Sequence, residues 1–281
     1  MHLLSRKVRL AILGNPAENL TPSPNAYASW PAMSGIGVFA ELDIVVVGTL
    51  TPIGYLLDIK SIDSAVREAA MPILKRVTAD TFDGKPESPQ KTLASLAAAI
   101  GKAIPAHAAQ SPVSNPTAHL HSLTWYLTPR TKLEWTVKAP TMSTSTATYL
   151  RQNFDFAASH RLHVPTLSAD KNHELFGKCN HENGHGHNYR LETCVIPAEN
   201  FSLINLERIV DDVIFKPFDH RYLNEDTTIF DPRRGGMNPT VENIARVCFE
   251  LLQPQIAKTG SKLAQVTVWE TDRTGATYPV L

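Results

Sequence analysis

Apolar and polar positions alternate most regularly in the second half of the chain. Over residues 151–160, Phe154, Phe156, Ala158 and His160 fall on one side, the period-two pattern of a half-buried strand. Residues 187–196 alternate in the same way, with His187, Tyr189, Leu191, Thr193 and Val195 on one side. A loop containing Pro165 and residues 171–177 joins the two. Apolar side chains at 203, 206, 209, 210, 213 and 214 then follow helical spacing, and Pro217 is expected to stop that helix. A second helix is predicted from an N-cap at Thr240 to about 252, with Ile244, Val247, Cys248, Leu251 and Leu252 as its stripe. Strands over 263–270 and 277–281 close the half around the turn Asp272–Gly275. Strand, strand, helix, helix, strand, strand is an α+β order. It favours an antiparallel sheet with both helices on one face.

The first half repeats the order. Strands are predicted over 8–13 and 38–47, a helix over 57–74 that contains Pro72, and an alanine-rich helix over 92–104. Two short strands follow over 123–127 and 133–137. Proline-punctuated residues 15–34 and 105–119 are expected to be irregular. The Ser/Thr-rich stretch 139–147 is the natural boundary, either as a connector or as an edge strand, since threonine favours strands. The chain is therefore expected to hold two tandem α+β domains, 1–145 and 146–281, each a four-stranded antiparallel sheet with two helices on one face.

Aligning the halves sets Ser34–Ala40 against Asn183–Tyr189, and Asp58-Ile59 against Asn205-Leu206. The differences are chemical. His185 and His187 face Ile36 and Val38, Glu270 faces Leu127, and Asp219-His220 face Leu74-Lys75. The polar groups suited to chemistry lie in the second half, so the first is expected to be structural.

Composition narrows the classes. The 281 residues are 43% hydrophobic and 19% charged, enough for a sizeable core. Lys plus Arg equals Asp plus Glu, 27 against 27, which argues against a nucleic-acid binder. No apolar run approaches the roughly 20 residues of a membrane helix, and the N-terminus lacks the form of a signal peptide. Three cysteines do not make a disulfide framework and suit a reducing cytoplasm.

Of the 11 histidines, three suit a metal. His185 and His187 are two apart on a strand and project to one side, and His160 ends the preceding strand. Three neutral imidazoles with one open position is the catalytic zinc arrangement; Gly184 and Gly186 leave backbone room beside the ligands. The plainer reading is that such histidines are surface or core hydrogen-bonding groups. Cys179, six residues before His185, suits a nucleophile or base whose thiolate a nearby zinc favours, although a fourth zinc ligand or a buried thiol remain open. Asp219-His220 is either a proton relay or a helix-end surface pair. Glu270, closing an apolar strand, suits a carboxylate that accepts two adjacent N–H donors from a ligand.

The runs Ser159–Leu162 (SHRL), Phe176–Asn180 (FGKCN), Gly184–Tyr189 (GHGHNY), Pro217–His220 (PFDH), Thr240–Asn243 (TVEN) and Val268–Asp272 (VWETD) resemble the 6-pyruvoyl tetrahydropterin synthase family, over most of 151–281 and in order. The resemblance implies the tunnelling fold, in which such sheets join around an axis into a barrel across the subunits of a homo-oligomer. It implies one Zn²⁺ per chain on His160, His185 and His187, with Cys179 as the catalytic thiolate and Asp219 and His220 as its acid–base partners. Glu270 would anchor the pterin, with Thr240 and Glu242 near the same pocket. Arg161, Lys178 and Arg221 are candidates for holding the triphosphate. The implied reaction converts 7,8-dihydroneopterin triphosphate to 6-pyruvoyl tetrahydropterin and triphosphate. Five residues between Cys179 and His185 resemble the pyruvoyl-forming enzymes. The related 6-carboxytetrahydropterin synthases of queuosine and deazapurine biosynthesis, which take the same substrate and release acetaldehyde, are the second reading. A pterin-binding protein without turnover is the third.

Overall fold

The computed structural model describes residues 1–12, 37–111, 115–137 and 146–280. The expected irregular stretch 15–34, the aligned residues 34–36 and the connector 139–145 lie outside the described residues. The chain divides into two compact units, Met1–Tyr149 and Leu150–Leu281.

In the first unit, β1 (His2–Ile12), β2 (Val38–Gly48), β3 (His119–Thr128) and β4 (Thr131–Val137) pair in that order, each antiparallel to the next. Between β2 and β3 run α1 (Ile59–Phe82) and α2 (Pro89–Gln110). Alternate strand residues Val8, Leu10, Leu42, Ile44 and Leu123 are buried, as are Ile62, Val66, Leu93, Leu96 and Ile100 on the helices. Burying each such side chain is worth about 1.5–3 kcal/mol. The Arg6 guanidinium grips Asp63 through both carboxylate oxygens, at 2.8 and 2.6 Å, and ties β1 to α1.

Both helices run past their predicted ends at 74 and 104. α1 continues past Pro72 to Phe82, and α2 past Pro105 to Gln110. Ala70 and Leu74 flank the first proline, and Ile104 and Ala108 the second, all buried. Packing of the apolar stripe holds the helix through the lost hydrogen bond. Two of the aligned pairs therefore shift. Leu74-Lys75 lies within a helix rather than at its end, and Asp58 is the N-cap of α1, whereas Asn205 lies inside its helix.

In the second unit, β5 (Thr146–His160), β6 (His185–Ile196), β8 (Lys262–Thr271) and β9 (Thr274–Tyr278) pair antiparallel, in that order. The expected four strands gain a short fifth, β7 (Arg221–Tyr222), parallel to β5. The predicted loop after β5 contains a helix, α3 (Ala169–Phe176), capped by Ser168 and followed by a 3₁₀ turn, Gly177–Asn180. The segment after β6 begins as α4 (Leu203–Val210) and loosens into a π turn over Asp211–Phe215, in which the Lys216 N–H reaches back to Asp211 O. It then resumes as α5 (Lys216–Phe218). Pro217 has no N–H to give; the wider turn absorbs that loss, so the proline does not stop the helix. The single turn α6 (Leu223–Asp226) leads to α7 (Val241–Ala257), which passes the predicted end at 252 and contains Pro254. Phe154, Phe156, Leu191, Val266 and Val268 from the sheet pack with Leu206, Ile214, Ile244, Cys248 and Leu252 from the helices in the buried core.

Candidate metal centre

The alternation of β5 and β6 decides where three imidazoles meet. Antiparallel register sets His160 opposite His185 and Ala158 opposite His187, so all three rings project from neighbouring positions at the end of one strand pair. Ring centroids lie 4.5 Å (160–185), 5.2 Å (160–187) and 4.9 Å (185–187) apart. One ligating nitrogen from each falls within 4.8 Å of the others.

The electrostatics of His160 and His185 favour neutral rings. Burial pushes His160 down to about 4, reinforced by the neighbouring histidines, and holds His185 below its ordinary value. His160 Nδ1 lies 2.7 Å from the Pro239 carbonyl and must carry the proton there, which leaves Nε2 a lone pair 3.1 Å from His185 Nε2. His185 Nδ1 and His187 Nε2 are buried without a hydrogen-bond partner. Three imidazoles that bring one nitrogen each within 4.8 Å of the others, with two ring nitrogens left unpartnered, fit a cation. Tetrahedral zinc with bonds of roughly 2.0–2.1 Å places its nitrogens roughly 3.3 Å apart. Among the described residues no other group of three such side chains meets this way.

The two glycines do different work. Gly184 has φ +68°, and a Cβ there would stand 2.8 Å from the His160 carbonyl and from the Tyr222 ring. At Gly186 a Cβ would lie 3.7 Å from its nearest neighbour, an ordinary contact. Only Gly184 is needed for close approach, which corrects the expectation that both provide room.

Cys179 sits half-buried in the 3₁₀ turn that precedes β6. Leu162 N–H donates to Cys179 O at 2.9 Å, Asn180 Nδ2 donates to Leu162 O at 2.6 Å, and Arg161 Nε donates to Asn180 O at 3.0 Å. The turn is thus clamped to the residues that follow His160. The Cys179 and Glu270 side chains both act electrostatically on the Tyr189 phenol from nearby.

Asp219 and His220 lie along β5. Asp219 Oδ1 accepts the Ala157 N–H at 2.8 Å, His220 N–H donates to Ala157 O at 2.6 Å, and His220 Nδ1 is 2.9 Å from Asp219 Oδ2. His220 takes φ +56°, and its side chain is 81% exposed. A cavity of about 380 Å³ brings His220 and Arg221 together with His187, Asn188 and Ser159. Cys179 and Glu270 do not line that cavity.

Glu270 is half-buried near the end of β8. It follows Trp269, over whose ring the Arg190 guanidinium lies at 4.1 Å. Thr240 is the N-cap of α7 and accepts the Asn243 N–H at 3.3 Å, while Glu242 is exposed in the first turn. Of the triphosphate candidates, Arg161 Nε is engaged with Asn180, Lys178 is exposed on the turn, and Arg221 faces the cavity of His220.

Three contributors escaped sequence reasoning. Asn172, fully buried, accepts the Val164 N–H and donates to the Val164, Leu167 and Ser168 carbonyls, holding the loop after His163. Its local signal was Ser168 followed by Asp170, a helix start. Tyr189 is fully buried, edge-on to His160 and His187, with a hydroxyl that has no partner. Its place on the histidine side of β6 was visible in the alternation. Pro239 supplies a backbone carbonyl, which no sequence pattern announces.

This constellation lies wholly within residues 149–280, which match the family model of 6-pyruvoyl tetrahydropterin synthase. The human 6-pyruvoyl tetrahydrobiopterin synthase is 36% identical over 133 residues, covering 45% of this chain and 88% of that protein. The chain belongs to the 6-pyruvoyl tetrahydropterin synthase family. It is an enzyme of that family, a pterin synthase-like lyase by its relatives. The synthase of Drosophila melanogaster is 34% identical over 143 residues, 49% of this chain and 82% of that protein. The solved 6-pyruvoyl tetrahydropterin synthase of Caenorhabditis elegans is 33% identical and covers 46% of this chain and 93% of that one, with a TM-score of 0.42. The family match covers the second unit. No helix among the described residues is long and apolar enough to cross a membrane.

Proposed function

We propose that the second unit is a zinc-dependent carbon–oxygen lyase that converts 7,8-dihydroneopterin triphosphate to 6-pyruvoyl tetrahydropterin and triphosphate. The observation that carries this reading is the convergence of His160, His185 and His187, with unpartnered buried nitrogens, inside the segment shared with synthases at 36% identity. The reaction needs no outside oxidant: one side-chain hydroxyl carbon is oxidised to a ketone as the dihydropterin ring takes up its two electrons, and the other as the terminal C–O bond breaks, so that the terminal carbon becomes a methyl group and triphosphate leaves.

Zn²⁺ bound by the three histidines supplies a Lewis acid for the side-chain oxygens. The Cys179 thiolate takes a carbon-bound proton, and the Asp219–His220 pair, held by the Ala157 backbone, returns or relays protons. Glu270 accepts the amino and ring N–H donors of the pterin. Thr240 and Glu242 stand at the same pocket, and Arg161, Lys178 or Arg221 meets the triphosphate. His220 opens on a cavity that Cys179 does not line. That separation supports a site assembled between subunits of a homo-oligomer, as the tunnelling fold builds it.

The first unit (residues 1–145 of the proposed domain division) is read as a tandem copy that has lost its chemistry. Tyr126 carries Lys7 over its ring at 4.6 Å, as Trp269 carries Arg190, and the following residue is Leu127 in place of Glu270. Three free cysteines support a reducing, cytoplasmic setting.

Incubation of the purified full chain with 7,8-dihydroneopterin triphosphate tests the reading. Triphosphate without acetaldehyde is expected. Acetaldehyde in step with triphosphate overturns it in favour of a 6-carboxytetrahydropterin synthase, and neither product leaves a binding protein.

A further inference from the structure

The carbonyl that holds His160 is itself held. Pro239 is the middle residue of a three-residue turn, closed where the Thr240 N–H reaches back to Asn238 O at 2.8 Å. The proline ring fixes φ, so the direction of the Pro239 carbonyl depends on one remaining torsion. Asn238 O takes a second donor, Asn243 Nδ2, at 2.8 Å from the first turn of α7. Asn238 Oδ1 accepts the His163 N–H at 3.0 Å. The turn is therefore pinned on one side to α7 and on the other to the segment leaving β5. From it the Pro239 carbonyl meets His160 Nδ1 at 2.7 Å.

We propose that Asn243 is a positioning residue for the metal, acting through the Asn238–Thr240 turn and the Pro239 carbonyl to fix the proton and ring direction of His160. This rests on the zinc reading of the three histidines. Without the Asn243 amide, the Asn238 carbonyl keeps only the Thr240 N–H, in a tight turn whose hydrogen bond is bent, and the peptide plane after Pro239 is free to swing. A carbonyl that swings away releases Nδ1–H. The imidazole then samples other rotations, and Nε2 no longer waits in the ligating direction. Partners of this kind are worth roughly 10–100-fold in metal affinity. The same linkage joins the metal to the N-terminus of α7, where Thr240 and Glu242 stand.

The test is a zinc titration of metal-free full-length protein against a chromophoric chelator, with Co²⁺ absorption as a report of ligand geometry. Asn243→Ala removes the donor. Asn243→Asp keeps the shape and suits the first turn of a helix, but turns an oxygen toward Asn238 O. Ser261→Ala is the comparison: it deletes a buried acceptor of the Ala198 N–H at the start of β8, away from this chain of contacts. Both Asn243 variants are expected to bind zinc about 10–100-fold more weakly than wild type, with altered Co²⁺ bands, while Ser261→Ala binds as wild type. Asn243 variants that bind as tightly as wild type overturn the inference and leave the zinc reading intact. An equal loss in Ser261→Ala also overturns it, because general loosening then explains the effect. A wild-type protein that binds neither ion overturns the zinc reading itself.

Discussion

Two side chains separate packing from chemistry. Tyr189 contributes a fully buried ring, stacked on Phe156 with centroids 5.1 Å apart, and a hydroxyl with no partner. A buried unpartnered hydroxyl costs about 1–3 kcal/mol. Tyr189→Phe is therefore expected to leave metal-free stability unchanged or to raise it by about 1 kcal/mol, read by urea denaturation; a loss of that size would reveal a hidden partner. Cys179 is held by its backbone, and its turn keeps its hydrogen bonds without the sulfur. Cys179→Ala is expected to abolish turnover while stoichiometric zinc stays bound, measured by metal analysis of the purified variant. Zinc lost with the thiol would make Cys179 a ligand. Asp219 shows how local contacts compete: burial raises its pKa, but the Ala157 N–H and His220 outweigh that and hold it below the usual carboxylate range. The identity of the three histidines was legible in the sequence because period-two spacing maps directly onto a strand face. Tyr189's missing partner was not, since it depends on what the helices bring over the sheet.

Element ends place the chemistry. β5 and β6 stop where His160 and His185 face one another, and Gly184 lets the chain arrive at that point in a left-handed conformation. Gly184→Ala combines an unfavourable φ with a Cβ 2.8 Å from the His160 carbonyl. It is expected to cost roughly 2 kcal/mol or more of stability and to weaken zinc binding, whereas Gly186→Ala is expected to do neither; calorimetry and zinc titration of the pair decide it. Strand periods predicted β5 and β6 closely. Proline was the poorer guide: Pro105, expected to open an irregular stretch, and Pro217, expected to stop a helix, both lie within helical segments. A proline deletes one hydrogen bond locally, while the buried stripe on either side acts over the whole helix. α3 was missed because its eight residues bury only Asn172 and so carry no apolar stripe to read.

At the scale of the whole molecule, the proposed zinc and pH are both expected to bear on stability. Zinc at 100 times its dissociation constant adds about 2.7 kcal/mol to the folded state, so a chelator is expected to lower the melting temperature by roughly 5–10 °C, read by differential scanning calorimetry. An unchanged melting temperature would count against a metal held by the native site. In the first unit, burial opposes ionisation of Asp58, but hydrogen bonds from Ser111 and Ser61 outweigh it and hold the carboxyl below its ordinary 3.8. A depressed carboxyl stabilises the fold above its unfolded pKa, and that contribution is lost as pH falls through the folded value. Wild type is therefore expected to lose more stability than Asp58→Asn between about pH 5 and pH 2, by denaturation at each pH. Equal losses would remove Asp58 from the acid response.

The sequence by itself determined the α+β order of both halves, the strands that carry the histidines, and the identity of the groups offered for chemistry. Each depends on periodicity along the chain or on residue type, which are local properties. Only the tertiary structure decided that His160 and His185 stand opposite one another, that the Pro239 carbonyl holds His160, and that His220 lines a cavity to which Cys179 does not contribute. Those outcomes depend on register, on backbone carbonyl direction and on packing between segments up to 79 residues apart. A backbone carbonyl has no side-chain identity to announce it, and its partner is chosen only when the chain has closed on itself.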